Sequence, residues 1–177
     1  MKAKEVLERY QKQEIDFSGM SLHSVDLKKA NLTRINFNRA DLSDADLTNA
    51  DLSGASLNQA NLTNADLSGA SLVGANLTEI NLIGAELIGV DLSGANLSGA
   101  DLRCANLHRA NLSNANLTDV DLNGTDLSNA DLTGAKLAGT DITVADTKGA
   151  NISQTSLSEG ERNQSQSSHN WVSWTGQ

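Results

Sequence analysis

Apolar residues return every five positions along this chain. From Phe17 to Leu157 each fifth residue is Leu, Phe or Ile, broken only by Thr147, which makes 29 consecutive five-residue units without an insertion. On an α-helix of about 3.6 residues per turn, five residues advance the chain by roughly 500°, so successive Leu side chains would form no stripe. In a continuous strand the odd spacing would send them to opposite faces. The period allows a short extended piece followed by a bend in every unit. The chain then coils, and each unit buries its apolar side only by stacking on its neighbours.

The other four positions of the unit support this. Two residues before the centre stands mostly Ala, as at Ala40, Ala45, Ala50 and Ala55. Alternation puts that residue on the same side as the Leu, so both line the interior. The residue between them is Asp, Asn or Ser in all units but two, the exceptions being Glu86 and Lys136, so this position is expected to face water. Two residues after the centre, Gly alternates with Asn, Asp and Arg, residue types that suit a bend. The chain has no proline, as expected where most backbone N–H groups are donated to neighbouring coils.

Units such as Ala40-Asp41-Leu42-Ser43-Asp44, Ala50-Asp51-Leu52-Ser53-Gly54 and Ala95-Asn96-Leu97-Ser98-Gly99 resemble the A(D/N)LXX signature of the pentapeptide repeat family, in register over residues 15–159. The resemblance implies an all-β solenoid: a right-handed quadrilateral parallel β-helix with four units in each coil and about 7 coils, stacked about 4.8 Å apart. Handedness and four-sidedness come from the resemblance, because the period alone sets neither. One internal sign agrees with four units per coil. The aromatic centres Phe17 and Phe37 are 20 residues apart, and the oversized residues Ile80, Val120 and Thr140 at the Ala position differ by multiples of 20.

Two segments lie outside the register. Residues 1–14 place Val6, Leu7 and Tyr10 at helical spacing among Lys and Glu, and resemble the leader helix of cyanobacterial members of the family. They are expected to form a helical cap on the open first coil. Residues 160–177 form a polar tail rich in Ser, Gln and Asn, expected to be flexible, in which Trp171 and Trp174 are the anomaly. The body between, residues 15–159, is expected to be one β-helix.

Composition bounds the function more than it defines it. There is no apolar run of 18 residues and no basic, apolar and small-residue leader, so the expected location is the cytoplasm, with no membrane partner. Cys104 is the sole cysteine, and the three histidines His23, His108 and His169 lie far apart. No metal-ligand spacing, phosphate loop or nucleophile motif interrupts the repeat, and an enzyme, a cofactor and a metal site are not expected.

Charge departs from the repeat. Net charge is −9, but residues 1–39 carry eight Lys and Arg against five Asp and Glu, while residues 40–102 carry nine acids and no cation. With four units per coil, residues 20 apart share a side. Asp26, Asp46, Asp66, Glu86, Asp126 and Asp146 then form an acidic column interrupted by Asn106. A second departure puts apolar residues at the outward position after the Leu, at Val73, Ile83 and Ile88, with Arg103, Cys104, His108 and Arg109 one coil further. The acidic column and the patch of Ile83, Ile88, Arg103, His108 and Arg109 are the candidate contact surfaces. Both have a plain alternative as solvated variation of the repeat.

The expected function is a non-enzymatic interaction scaffold for a protein partner, without direct nucleic-acid binding; monomer and dimer stay open. The alternative is an acidic imitation of DNA for a DNA-binding protein such as a gyrase-type topoisomerase. DNA carries about one charge per 1.7 Å, and nine acids over three coils give about the same axial density. The gyrase-binding branch of the family ends in an apolar dimer module, and this chain ends in a polar tail.

Overall fold

The computed structural model describes residues 1–156. Over residues 16–156, parallel β-bridges join residues twenty apart, as in Asp26 to Asp46, Asp46 to Asp66 and Asp66 to Glu86. Four units therefore close one coil, and the coil has four sides and four corners.

The reason five residues suffice is visible in where each unit sends its N–H groups. In the unit centred on Leu47, Asp46 N–H donates down to Val25 O at 2.9 Å, Leu47 N–H donates up to Asp66 O at 2.7 Å, and Asn49 N–H donates up to Ser68 O at 2.9 Å. Ala50 N–H turns back to Leu47 O at 3.0 Å and closes the corner. The fifth donor, Thr48 N–H, reaches no backbone carbonyl and is taken by Asp46 Oδ1 at 3.0 Å. Every Asp or Asn at this position accepts the N–H two residues on, among them Asp66 from Ser68, Asn96 from Ser98 and Asp126 from Ser128. The position was expected to be polar because it faces water. Its stronger cause is that a backbone donor at each corner needs an acceptor.

Corners carry a second constraint. The residue two after the centre adopts positive φ, at twelve glycines and also at non-glycine residues such as Asp44 (55°), Glu79 (55°) and Arg109 (57°). Within the described residues one corner departs, at Val144, where a short 3₁₀ turn spans Ile142–Val144. Val144 is the only β-branched residue at that position, and a branched Cβ tolerates positive φ worst. Consequently the bridge that would join Asp121 to Asp141 is absent.

The Leu and Ala columns form the core: Leu42 through Leu137 and the alanines between them are buried. Phe17 and Phe37 stack as their spacing predicted, with centroids 5.9 Å apart. Two threonines intrude into the Ala column and stay satisfied. Thr125 donates to Leu102 O at 2.8 Å, and Thr140 donates to Leu117 O while accepting from Val120 N–H at 2.9 Å.

Helix α1 (Ala3–Gln11) lies against the first coil. Val6 is fully buried and the Arg9 guanidinium sits 4.6 Å over the Phe17 ring. The first coil has carbonyls that point away from the second coil and would otherwise lack donors. Tyr10 O–H donates to one of them, Thr33 O, at 2.9 Å, and the Met1 ammonium donates to another, Ser21 O, at 3.0 Å.

Candidate functional site

The acidic column is real as a stack of backbone positions, because the bridges place Asp26, Asp46, Asp66, Glu86, Asn106, Asp126 and Asp146 one above another. Its carboxylates are not equivalent. Lys28 reaches across from the first coil to Asp46 Oδ2 at 2.8 Å. The Lys28 ammonium, with the Thr48 hydroxyl second, pulls the Asp46 carboxyl down to about 2. Asp126 is held below the usual carboxylate range by hydrogen bonds from Ser128, with a smaller contribution from His108. Glu86 is one carbon too long for the corner hydrogen bond and instead accepts from Asn106 Nδ2 at 2.8 Å.

Amide side chains relieve repulsion elsewhere in the same way. Asn61 donates to Asp41, and Asn111 donates to Asp91, each at 3.1 Å from one coil above. On the opposite side, where Asn76, Asn96 and Asn116 stack, the amides are bonded in part: Asn116 donates to Asn96 at 2.9 Å, whereas Asn96 turns to Thr78 Oγ1 at 3.1 Å.

The second candidate surface spans two adjacent corners of the rod. Ile83 and Arg103 share one corner, and Ile88, His108 and Arg109 share the next, as the twenty-residue register requires. Ile88 is 41% exposed, Val73 is 40% exposed, and Ile83 is half-buried. Arg103 is engaged with its own side of the rod, donating through Nε and Nη2 to both oxygens of Asp101 at 2.9 and 2.7 Å. That guanidinium holds the Asp101 carboxyl below its ordinary value. His108 Nδ1 lies 2.8 Å from Ser128 Oγ. Cys104 is exposed at a positive-φ corner.

A feature that the reading of charges passed over is the set of corners without an acceptor. Where Ser21, Ser71, Glu86 and Lys136 replace Asp or Asn, the N–H groups of His23, Val73, Ile88 and Ala138 find no hydrogen-bond acceptor among the described residues. At two of the four the residue with the free N–H is also outward and β-branched, a coincidence visible in the sequence at Ser71-Leu72-Val73 and Glu86-Leu87-Ile88.

Among the described residues no group of three or more His, Cys, Asp and Glu side chains is placed to hold a metal ion. No helix among them is long and apolar enough to cross a membrane.

Stacked short units, an aliphatic core column and polar corners define a repeat solenoid. The chain belongs to the pentapeptide repeat family: residues 13–39, 40–79, 80–119 and 110–146 match the description Pentapeptide repeats (8 copies), and the right-handed quadrilateral β-helix is that family's fold. No catalytic family is indicated. It is similar to HetL, a pentapeptide repeat protein involved in heterocyst differentiation regulation from the cyanobacterium Nostoc sp. strain PCC 7120. Identity is 33%, covering 80% of this chain and 74% of HetL, with a TM-score of 0.60. The pentapeptide repeat protein Rfr23 of the cyanobacterium Cyanothece 51142 is 28% identical over 88% of this chain and 99% of its own, with a TM-score of 0.33. Full-length QnrB1, a plasmid-mediated fluoroquinolone resistance protein, is 16% identical over 86% of this chain and 95% of its own, with a TM-score of 0.35. No curated protein matches the sequence significantly.

Proposed function

We propose that this chain is a non-enzymatic, cytoplasmic scaffold of about seven coils that presents its acidic column, set in the cation-free segment 40–102 and continuing through Asp126, to a basic protein partner. The supporting observation is that nine acids and no cation occupy this segment although the fold does not ask for charge. Asp and Asn accept the same corner N–H in the same way, as Asp66 from Ser68 and Asn96 from Ser98 do. The folding requirement is met equally by the neutral residue, so the excess of carboxylates needs another reason. Within the column Asp66 and Glu86 have no cation within ion-pairing distance among the described residues, unlike Asp46.

The test replaces Asp46, Asp66 and Asp126 by Asn, which keeps every corner hydrogen bond and removes three charges. Affinity capture with mass spectrometry is expected to lose the basic partners of the native protein while the melting temperature stays within a few degrees. Retention of those partners would overturn the assignment. The same acidic run supports the alternative of DNA imitation, which adds a requirement of its own: the native protein must inhibit supercoiling by a gyrase-type topoisomerase, and the triple variant must not.

A further inference from the structure

The side of the rod that contains Ala70–Leu72 and Val90–Leu92 is unlike the others. One corner beside it carries Ser68-Gly69 and, one coil up, Ile88-Gly89; the other carries Val73-Gly74 and, one coil up, Ser93-Gly94. Between them the outward residues are Ser71 and Asp91. Across this two-coil panel only Val73, Ile88 and Asp91 project beyond the size of serine. A Cβ added at Gly74, Gly89 or Gly94 would meet nothing within 4 Å, so open space surrounds the two exposed apolar side chains. Val73 and Ile88 occupy diagonal corners of the panel and are 40% and 41% exposed.

Each of these two residues also carries the unaccepted N–H described above. In a capped unit that donor points to the outward Asp or Asn side chain, as Ser93 N–H does to Asp91 Oδ1 at 2.9 Å. On Val73 and Ile88 it is left for an acceptor from outside. The panel thus offers two apolar anchors, two backbone donors and one carboxylate, within a segment that has no cation.

We propose that this panel docks a short extended segment of a partner protein, with apolar side chains against Val73 and Ile88, backbone carbonyls on their N–H groups and a Lys or Arg on Asp91. The proposal rests on the scaffold reading but uses a different side from the acidic column. Charge argues for the occupant: Asp51, Asp91 and Glu86 border the panel, while by register Lys28, Lys29 and Arg34 lie two coils below and Arg109 one coil above, so a basic segment is attracted. A phosphate-rich ligand is repelled. A second copy, packed face to face about a two-fold axis, would set Asp91 against Asp91. Strand addition is unavailable here, because the coils at this level already bond above and below, as Leu72 N–H to Asp91 O and Asp91 N–H to Ala70 O. The partner must therefore use side chains and the two spare donors. Two coils span about 10 Å, well below a stable interface, so the contact is weak and reversible.

The experiment is a titration of the full chain with the capped peptide Leu-Lys-Gly-Lys-Leu, followed by backbone amide NMR shifts, with Leu-Glu-Gly-Glu-Leu as control. Shifts are expected to centre on residues 68–94, largest at the Val73 and Ile88 amides, with no response to the acidic control. V73S/I88S restores ordinary repeat residues and is expected to lower affinity at least tenfold with an unchanged melting temperature. Glu86→Asp keeps the charge and adds the missing acceptor for Ile88 N–H; it is expected to weaken binding several-fold. Equal binding by V73S/I88S, no shifts at millimolar peptide, or shifts confined to Asp46 and Asp66 would overturn the proposal. Concentration-dependent dimerisation abolished by V73S/I88S would also overturn it, by replacing the occupant with a second copy. Loss of partner capture in the Asp46, Asp66 and Asp126 variant with peptide shifts retained would separate failure of either reading from the other.

Discussion

The two ends of the rod solve the same problem differently. At the first coil, α1 buries Val6, Arg9 covers the Phe17 ring, and Tyr10 and Met1 supply donors to Thr33 and Ser21 carbonyls. The core residues beneath are as buried as those of the middle: Phe17 and Leu22 have no exposure. At the last described coil the corner at Ile142–Val144 becomes a 3₁₀ turn, Thr147 stands in the Leu column, and Ile152 is 40% exposed. The same five-residue unit is therefore packed tightly at the first coil and more loosely at the last described one, and a helix can stand in for a coil when it brings both apolar surface and hydrogen-bond donors.

The sharpest way to break this comparison is truncation of one core residue at each end. Phe17→Ala is expected to cost about 3–5 kcal/mol, since it opens a cavity and removes the surface under Arg9. Ile142→Ala, in a half-buried site, should cost about 1 kcal/mol. Urea unfolding followed by circular dichroism measures both, and equal losses would mean that the ends are equally packed.

Next in size is Thr140. Its hydroxyl replaces the ordinary corner bond by standing between Val120 N–H and Leu117 O. Thr140→Val should cost about 1–3 kcal/mol because both backbone groups lose their partner. Thr140→Ala lets the corner close directly, as it does at Ala115 N–H to Leu112 O, and should stay within about 1 kcal/mol of the native protein. Reversal of that order would show that the hydroxyl is incidental.

Tyr10→Phe removes one donor to the first coil and should cost about 1 kcal/mol, read as a lowered thermal midpoint. No loss would mean that α1 acts through apolar cover alone.

The smallest effect concerns acid. Asp46 is held at about 2, below the ordinary carboxylate range, mainly by Lys28, so its contribution to stability is present above about pH 4 and is lost as pH falls toward 2. Asp141 at the other end is lowered chiefly by Thr143, without a cation. Carboxyl NMR titrations at low and high salt should move the Asp46 midpoint upward and leave that of Asp141 nearly in place. Equal responses would remove the electrostatic difference between the ends.

Much of this architecture was legible in the chain. The Leu and Ala columns and the bend two residues after the centre follow from spacing, the coil of twenty came from the family resemblance, and the Phe17–Phe37 and Val120–Thr140 contacts were marked by their separation of 20. The Asp or Asn position was placed correctly but explained too weakly. A side chain that accepts its own chain's N–H two residues on looks, in sequence, the same as one that merely faces water. The 3₁₀ turn escaped because Ile142 keeps the register; the informative residue was Val144, whose branched Cβ resists the corner geometry. For the candidate surfaces, sequence gave side and level but not exposure. Burial of part of Ile83 and the pairing of Arg103 with Asp101 depend on rotamers that spacing does not encode.

The corner hydrogen bond has a genetic consequence. Asp and Asn codons differ at one base, and either residue closes the corner, so a single transition rewrites one charge on the rod and leaves its hydrogen bonding whole. Electrostatic identity in such a molecule can be edited letter by letter, while the scaffold that carries it is inherited unchanged.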